Sequence, residues 1–276
     1  MLVLSLFPGI DLLGRGFEAE GFCVVRGPDL IWGGDVRDFH PNPRKFDGVI
    51  AGSPCQEFSK LRRNAPTGYG RAMLDEFCRV VIEAQPDWFL LENVPTVPDV
   101  VVTGYAVQRL DLNARECGAK QNRPRHFQFG SRDRRMLVPA RAITALSESQ
   151  PAVLASEGKR KSRRGWPEFC ELQGLPRDFT LPGMTLSARY RAVGNGVHVD
   201  VARTLARAVR ELPQRRKSIR LCVCNCGRVV KGKGAMATAG CRKRMERRRK
   251  RDLLGVTAPS AVTVAESQVD VTEYGA

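Results

Sequence analysis

The sequence predicts an α/β protein built on a doubly wound, mainly parallel sheet. Three apolar runs, at residues 2–7, 46–53 and 88–93, are separated by segments with helical periodicity. Apolar runs without a polar face are typical of parallel strands that are covered on both sides, and the helices between them supply the crossovers. The 276 residues are 42% hydrophobic, which is enough for one sizeable core.

The first half of the chain supplies most of this sheet. "LVLSLF" (2–7) is the first predicted strand, and "DLLGRGFEAEGF" after Pro8-Gly9 predicts a helix that ends near Gly21. Three further strands are predicted at "FCVVRG" (22–27), "FDGVIAGS" (46–53) and "WFLLEN" (88–93). Residues 74–85 predict a helix that Pro86 ends, with one apolar face made by Leu74, Phe77, Val81 and Ala84.

The second half is less regular. Residues 131–165 mix basic clusters, Ser and Pro without a firm period, which indicates an irregular basic segment. "WPEFCELQGLPRDF" (166–179) predicts a short helix and a turn, and "HVDVARTLARAVREL" (198–212) predicts an amphipathic helix. The last stretch, 255–276, has no pattern and is predicted to be disordered.

Positive charge is concentrated near the C-terminus. Fifteen Lys or Arg and one acid lie between Arg215 and Arg251, so this segment holds +14 of the formal charge of +16. A polycation of this kind suits a phosphate backbone, because neutralised phosphates release counterions. The alternative is a solvated tail without a partner.

Composition also bears on the compartment. No apolar run approaches the roughly 18 residues of a membrane span, and "MLVLSLFPGIDLL" lacks a basic leader and a cleavage site. The nine cysteines are odd in number and the first five are scattered, which argues against a disulfide framework. We therefore expect a cytoplasmic protein with no membrane partner.

Residues suited to binding or catalysis lie at three predicted strand ends. Phe7-Pro8-Gly9 follow the first strand, Pro54-Cys55-Gln56 follow "GVIAGS", and Glu92-Asn93 close "WFLLEN". Ligands of such sheets bind at the carboxyl ends of the strands. A thiol beside a carboxylic acid suits nucleophilic attack on an electron-poor ring such as cytosine, with the acid holding a proton on the ring.

Six motifs then make a family resemblance specific. "LFPGIDLLGRGF", "GSPCQEFS", "LLENV", "QNRPRHFQFG", "FCELQGLP" and "AVGNGVHVDVA" occur in this order across residues 2 to 212. Together they resemble the motifs of the carbon-5 DNA cytosine methyltransferases. The resemblance implies a Rossmann-like sheet that binds S-adenosylmethionine and acts on cytosine in duplex DNA.

The resemblance also implies a role for each matching residue. The catalytic set is Cys55 as nucleophile, Glu92 as the group that holds the base, and Arg123 and Arg125. The set expected to hold S-adenosylmethionine is Phe7, Pro8, Gly9, Ile10, Asp29, Asp35, Val36, Pro54 and Asn195. The set expected to contact DNA is Gln56, Ser59, Gln121, Arg132, Arg134 and Arg135.

The resemblance divides the chain into five parts. Residues 1–130 and 185–212 are expected to form the catalytic domain around a reduced target-recognition region, 131–184. A basic, cysteine-containing tail at 213–254 and a disordered end at 255–276 follow. Two features depart from the family pattern: Asp11 and Leu12 stand where glycines are usual, and only 35 residues separate Gly130 from Trp166.

The tail contains four cysteines among basic residues. Four thiolates can hold one zinc ion tetrahedrally, although Cys-x-Cys-x-Cys is tighter than the usual Cys-x2-Cys spacing. Reduced surface thiols are the alternative. The candidate ligands are Cys222, Cys224, Cys226 and Cys241.

These observations predict a DNA (cytosine-5-)-methyltransferase that flips its target base and forms a covalent adduct through Cys55. Two alternatives are a catalytically silent DNA-binding protein of the same fold and an RNA cytosine methyltransferase. The compact build suggests a bacterial or phage enzyme that acts as a monomer, alone or beside a cognate restriction endonuclease.

Overall fold

The structure of the protein is a computed structural model. It describes residues 1–59, 65–142, 149–212, 222–224, 230, 236 and 238–253, with the backbone alone at 248 and 251–253. Two compact units are present, Met1–Pro213 and Gln214–Ala276. The predicted disordered end, 255–276, lies outside the described residues.

The first unit contains a six-stranded sheet with the order β2-β1-β3-β4-β7-β5. Its parallel half consists of β1 (Leu2–Leu6), β2 (Cys23–Arg26), β3 (Gly48–Gly52) and β4 (Trp88–Asn93). The predicted parallel strands are therefore confirmed. Buried apolar residues alternate between the two faces of these strands, because both faces are covered.

Two antiparallel strands complete this sheet and were not predicted. β7 (Pro124–Ser131) lies between β4 and β5 (Ala106–Asn113) and runs antiparallel to both. As a result, the first residues of β7 lie at the carboxyl end of β4, and its last residues lie at the opposite end. A separate two-stranded ladder pairs β6 (Gln121–Asn122) with β8 (Gln150–Pro151).

Helices cover both faces of the sheet. α1 (Leu12–Ala19) and α5 (Val199–Glu211) contribute to the core on one face, and α2 (Tyr69–Ala84) contributes to the core on the other. Gly16 of α1 lies so close to α5 that a Cβ there would collide with Ala202. The C-terminal helix thus completes the layer that α1 begins.

The expected recognition region packs partly into this same core. Within 131–184 the described residues form β8, a short 3-10 helix (Glu157–Lys159) and α3 (Trp166–Leu172), which α4 (Leu186–Asn195) follows. Phe169 of α3 is fully buried and its ring lies 4.5 Å from that of Tyr190 in α4. The chain between Ser131 and Gly165 is mostly irregular in its described parts, as predicted.

The second unit contains one helix among its described residues, α6 (Ala239–Leu253). Eight of its fifteen residues are Lys or Arg, and Cys222, Cys224, Val230 and Cys241 are buried together in this unit. None of the described helices of either unit has the length and apolar character needed to cross a membrane.

Candidate active site

The candidate site lies where the strand order reverses. β1 pairs with β2 on one side and with β3 on the other, so the loops that follow β1 and β3 diverge and leave a crevice at their carboxyl ends. The loop after β1 carries Phe7 and Gly9, and the loop after β3 carries Cys55. The strand ends that the sequence singled out therefore meet at one edge of the sheet.

Cys55 and Glu92 are electrostatically coupled at this edge. Gly52, the last residue of β3, pairs with Glu92 on β4, and Cys55 follows three residues later. Burial raises the pKa of the Cys55 thiol, and the negative charge of Glu92 raises it further, whereas Arg125 and Arg123 oppose these effects. The thiol and the carboxyl group thus belong to one site.

Glu92 is suited to act as a proton donor. Burial raises the pKa of its carboxyl group although Arg125 and Arg123 act in the opposite direction. The Nε atom of Arg125 lies 3.0 Å from its Oε1 atom, and both side chains are largely buried. A carboxyl group in this environment retains its proton at a higher pH than an exposed one.

Arg123 has a different position from Arg125, two residues away. Its guanidinium group is buried and donates to the carbonyl oxygens of Val153 (2.9 Å), Gly194 (2.7 Å) and Gly196 (2.8 Å). Its positive charge lowers the pKa values of Cys55 and Glu92. Its Nη1 and Nη2 atoms, however, bind carbonyl groups in the C-terminal part of the unit. We therefore correct one part of the prediction: these two atoms are occupied by protein carbonyl groups, whereas the Nε atom of Arg123 is buried without a hydrogen-bond partner.

Gln121 requires a similar correction. It was expected to contact DNA, but it is fully buried and its side chain donates to Leu172 O and Gln173 Oε1, at 2.5 and 3.0 Å. Its Oε1 atom accepts the Val153 N–H at 3.0 Å. These bonds tie β6 to the end of α3, and burial prevents direct contact with a nucleic acid.

Three residues that were given no role shape the Cys55 loop. Asn93 is buried and donates to Ser53 Oγ at 2.8 Å and to Ser53 O at 3.2 Å, so β4 fixes the start of the loop beside Pro54. Thr96 donates to Phe58 O. Glu57 accepts bonds from the N–H groups at the start of α2, including Gly70 at 2.8 Å.

Two of the residues that were expected to contact DNA lie on this loop. Gln56 is exposed directly after Cys55, and Ser59 is half-buried, with its N–H donating to Cys55 O at 3.1 Å. Both therefore share the loop of the thiol. Asn93 could have been found from the sequence, since it belongs to the "LLENV" motif, whereas the role of Glu57 depends on a contact 13 residues away.

The loop after β1 has a backbone that few residues tolerate. Phe7, Gly9 and Asp11 have φ values of 52°, 55° and 57°. Asp11 is buried, and its carboxylate caps α1 by accepting the Gly14 N–H at 3.0 Å and the Ser5 hydroxyl at 2.8 Å. Asp is one of the few non-glycine residues that tolerate this region, so it can stand where the family pattern has glycine.

Asp29 and its neighbours form one wall beside this loop. Asp29 Oδ2 accepts the Gly9 N–H at 2.8 Å, and Trp32 Nε1 donates to Gly9 O at the same distance. Leu30, Ile31 and Trp32 are 59%, 55% and 64% exposed, an unusual apolar cluster for a surface. Asp29 was predicted from the sequence, whereas this cluster was not.

The remaining residues expected to bind S-adenosylmethionine are less closely tied to the loop. Asp35 caps a short 3-10 helix, and its hydrogen bonds to Arg37 lower the pKa of its carboxyl group to about 2. Val36 is buried, and Pro8, Ile10 and Pro54 are partly buried.

Asn195 is exposed between Gly194 and Gly196, and a Cβ at Gly196 would collide with Leu12 of α1.

Arg132, Arg134 and Arg135 lie away from Cys55. They follow the last residue of β7, and the Arg132 N–H donates to Asp87 O, directly before β4. The Arg132 guanidinium lies over the Tyr105 ring at 5.1 Å. Because β7 is antiparallel to β4, these arginines are at the amino end of β4, so the structure does not bring them together with Cys55 and Glu92.

The cysteines of the second unit are close together. The sulphur atoms of Cys222, Cys224 and Cys241 all lie within 4.8 Å of one another, and the three residues are buried. Cys226, the fourth expected metal ligand, lies outside the described residues.

Comparisons with known proteins place this site in a family. The sequence model of the C-5 cytosine-specific DNA methylases matches residues 32–161. The type II methyltransferase M.NgoPII of Neisseria gonorrhoeae is 30% identical over 165 residues, which are 48% of this chain and 48% of that protein. The type II methyltransferase M.AquIA of Picosynechococcus is 30% identical over 177 residues, 47% of this chain and 71% of that protein. The chain belongs to the C-5 cytosine-specific DNA methylase family.

Solved structures agree on the fold of this chain. A crystal structure of a DNMT2 mutant from Spodoptera frugiperda has a TM-score of 0.55 at 14% identity, and the match covers 76% of this chain and 99% of that one. At this identity the likeness concerns the fold alone. This member of the family spans about half the length of the curated relatives M.NgoPII and M.FnuDI, at 48% and 47%.

Proposed function

We propose that this methylase-family chain transfers a methyl group from S-adenosylmethionine to carbon 5 of cytosine in DNA. The observation that carries the proposal is that Cys55 and Glu92 lie at the ends of adjoining strands, where Gly52 of β3 pairs with Glu92 of β4, and that Arg125 lies 3.0 Å from Glu92. A nucleophile and a proton donor in one crevice are what this substitution requires. Carbon 5 of cytosine reacts with an electrophile only after the ring has been activated.

Cys55 supplies the activation. Its thiolate adds to carbon 6 of the ring, so a carbon–sulphur bond forms and the electron pair of the ring double bond becomes available at carbon 5. Protonated Glu92 donates a hydrogen bond to ring nitrogen 3, which accepts the developing negative charge. Arg125 orients the Glu92 carboxyl group and limits how far burial raises its pKa.

The crevice has the features that S-adenosylmethionine requires. When bound, this cofactor supplies an electrophilic methyl group. The exposed apolar cluster at Leu30, Ile31 and Trp32 offers a surface for its adenine ring, and it stands next to the Gly9 loop through the Trp32–Gly9 bond. Asp29 and Asp35 are carboxylates with acceptor capacity left for hydroxyl and amino groups.

The adduct is resolved by elimination. After methyl transfer, carbon 5 carries both a methyl group and its original proton. A base removes this proton, the double bond re-forms, and the carbon–sulphur bond breaks to return the Cys55 thiolate. To reach this position, the cytosine leaves the base stack, and the exposed Gln56 beside Cys55 is placed to enter the gap.

The basic tail supplies sequence-independent affinity. The cations of α6 that are described and exposed include Arg242, Lys243, Arg244, Arg249 and Lys250. Phosphate contacts from such residues position DNA without reading its sequence. The short segment after Gly130 leaves few candidates for base contacts, so recognition of the target depends on few side chains.

Covalent trapping tests the proposal. A duplex with 5-fluoro-2′-deoxycytidine at every cytosine is incubated with S-adenosylmethionine, and the expected result is a denaturation-resistant complex, because fluorine cannot leave carbon 5 as a proton does. Cys55→Ala is expected to abolish the complex, and Cys23→Ala, which changes an exposed cysteine on β2, is expected to retain it. A complex that persists in Cys55→Ala overturns the role of the thiol.

The nucleic acid is tested with radiolabelled methyl groups. Methyl transfer to duplex DNA that exceeds methylation of transfer RNA supports the proposed substrate, whereas methylation of RNA alone contradicts it.

Because relatives such as M.AquIA are named type II methyltransferases, we also propose that this chain acts as a monomer beside a cognate restriction endonuclease. Sequencing of modified cytosines in DNA from expressing cells gives the protected site.

A further inference from the structure

Three cysteine thiols of the second unit converge within a small buried cluster. The sulphur atoms of Cys222 and Cys224 are 3.4 Å apart, and those of Cys222, Cys224 and Cys241 lie within 4.8 Å of one another. Cys241 joins the other two from a different part of the chain, since it lies in the first turn of α6. Sequence proximity alone therefore does not explain the cluster.

We propose that these three thiols are ligands of a structural Zn²⁺ ion. Zinc–sulphur bonds of about 2.3 Å in a tetrahedral arrangement separate neighbouring sulphur atoms by about 3.8 Å. The Cys222 and Cys224 sulphur atoms are 3.4 Å apart and no pair of the three is more than 4.8 Å apart, so these distances are compatible with that value. A disulfide requires about 2.05 Å between sulphur atoms, so the described thiols are arranged for a shared ion and not for a bond to one another.

The described part of the second unit contains few other buried residues. Its described buried residues are the three cysteines and Val230, with Met236 and Met245 packed against them. From Arg242 onward the exposed described residues of α6 are charged, so this helix contributes little apolar surface. Small units with so small a core usually depend on a disulfide or a metal ion, and structural zinc sites supply folding free energy directly.

Contacts around Cys241 fit a metal ligand. Thr238 caps α6, and its Oγ1 atom accepts the Cys241 N–H at 3.3 Å and lies 3.2 Å from the Cys241 sulphur. Hydroxyl groups that contact a ligand atom orient it for the metal.

Binding is a simple exchange of protons for metal. Each of the three thiols releases one proton to solvent and donates an electron pair to Zn²⁺, and no group changes its oxidation state. Cys226 lies outside the described residues, so the site argued from the structure is the three-thiol set. The proposal is independent of methyl transfer, because its test measures metal.

The metal content of the full chain, purified without a histidine tag, provides the first measurement. We expect about one zinc per chain for the wild type. Cys222→Ser and Cys241→Ser are expected to lower the content at least tenfold, while Cys23→Ser, the exposed cysteine of the first unit, leaves it unchanged. Zinc below a tenth of one equivalent in the wild type, or equal zinc in the ligand variants, overturns the proposal.

A second measurement does not depend on the variants folding. A thiol reagent is added to the native wild-type chain before and after zinc removal by a chelator. At least three additional thiols are expected to react after chelation, since zinc protects its ligands. Replacement with Co²⁺ is expected to produce the intense visible bands of a tetrahedral thiolate site. An unchanged thiol count together with no such bands contradicts the site.

Discussion

At the residue scale, the burial that suits Glu92 to its proposed role as a proton donor also has a cost in stability. Burial raises the pKa of its carboxyl group above the ordinary value of 4.5. The folded chain therefore holds this proton more tightly than the unfolded chain does. Between the ordinary value and the raised one, folding takes up protons, so the contribution of Glu92 to stability falls as the pH rises.

Glu92→Gln is expected to remove this pH dependence. The difference in melting temperature, variant minus wild type, should become more positive between about pH 4 and about pH 8, because only the wild type has to ionise a buried group. Single-turnover methyl transfer should fall by about 10²- to 10⁴-fold, since glutamine cannot donate the proton. Glu168→Gln, an exposed glutamate on α3, is the control, and a pH-independent difference for Glu92→Gln contradicts the argument.

Asp11 offers a second test of a single residue. Asp11→Gly removes the side chain that caps α1, which costs roughly a few tenths of a kcal/mol because glycine is tolerated at this position of a helix. Asp11→Ala removes the cap and also holds a Cβ at a φ of 57°, which costs about 1 kcal/mol more. Denaturant unfolding should therefore rank the wild type above Gly and Gly above Ala.

A position with ordinary backbone serves as the control for this ranking. Asp38 ends the 3-10 helix Val36–Asp38 and is exposed, so Ala there should be at least as stable as Gly. If Ala exceeds Gly at Asp11 as well, the positive φ does not determine the residue type.

Some site residues could be predicted one by one and others could not. Cys55 and Glu92 stand at strand ends that the hydrophobic pattern locates, and Arg125 follows from its motif. Arg123 has the same residue type and the same motif, yet the carbonyl groups that bury it come from Gly194 and Gly196, over 70 positions away. Nothing in the local sequence separates the two arginines.

At the scale of elements, the Cys55 loop is held at both ends. Asn93 of β4 fixes its start, and Glu57 accepts bonds from Thr67 N at 2.7 Å, Tyr69 N at 3.1 Å and Gly70 N at 2.8 Å. Tyr69 N and Gly70 N are the first N–H groups of α2, which have no partners inside the helix, and Thr67 lies two residues before its start. Glu57 thus connects the loop to the helix that covers one face of the sheet.

Glu57→Ala is expected to slow trapping of the fluorinated duplex by up to about 100-fold, because displacement of a nucleophile by about 1 Å is enough for such a loss. The core of α2 is untouched, so the melting temperature should change little. Asp75→Ala, which removes an exposed carboxylate from the same helix, should leave the trapping rate unchanged. Equal trapping rates in the two variants would show that the Glu57 bonds do not position Cys55.

Substitutions of Arg123, directly before β7, and of Arg125, at its start, are expected to affect stability and activity to different degrees. Arg123→Met leaves the buried carbonyl groups of Val153, Gly194 and Gly196 without this donor, and should lower the free energy of unfolding by about 3 kcal/mol or more. Arg125→Met should affect unfolding less and methyl transfer more, because it removes the partner of Glu92. The reverse pattern in denaturant titrations and single-turnover assays contradicts this assignment.

Element prediction succeeded where the pattern was unambiguous. The parallel strands are apolar runs, and α2 and α5 have clear periodicity, so their sequences determine them locally. β5 reads "AVQRLDLN", with most residues exposed or half-buried, and its partner β7 contains Arg, His and Gln. Antiparallel pairing of such strands depends on contacts between distant segments, which periodicity does not report.

At the scale of the whole molecule, charge is the dominant asymmetry. The segment between Arg215 and Arg251 has a charge of +14, whereas all other residues together have +2. Affinity of the full chain for any DNA duplex should therefore decrease steeply with salt concentration.

Arg242, Lys243 and Arg244 are exposed on α6, and their joint replacement by Gln in the full chain tests this. The slope of log affinity against log salt should become shallower by about 0.9 for each phosphate contact that is lost. A matched control replaces Arg132, Arg134 and Arg135, which lie at the other edge of the sheet from Cys55, and its slope should equal that of the wild type. A shallower slope in the control than in the α6 variant would show that the phosphate contacts come from the arginines beside the sheet.

The packing of α5 on α1 has a consequence for synthesis of the chain. A ribosome releases α1 almost 200 residues before α5, yet Gly16 of α1 and Glu20 directly after it contact Ala202, Arg203 and Arg207 of α5. The nascent protein therefore carries an uncovered apolar helix face during most of its translation. Its first half is therefore prone to aggregation until the last helix of this unit emerges from the exit tunnel.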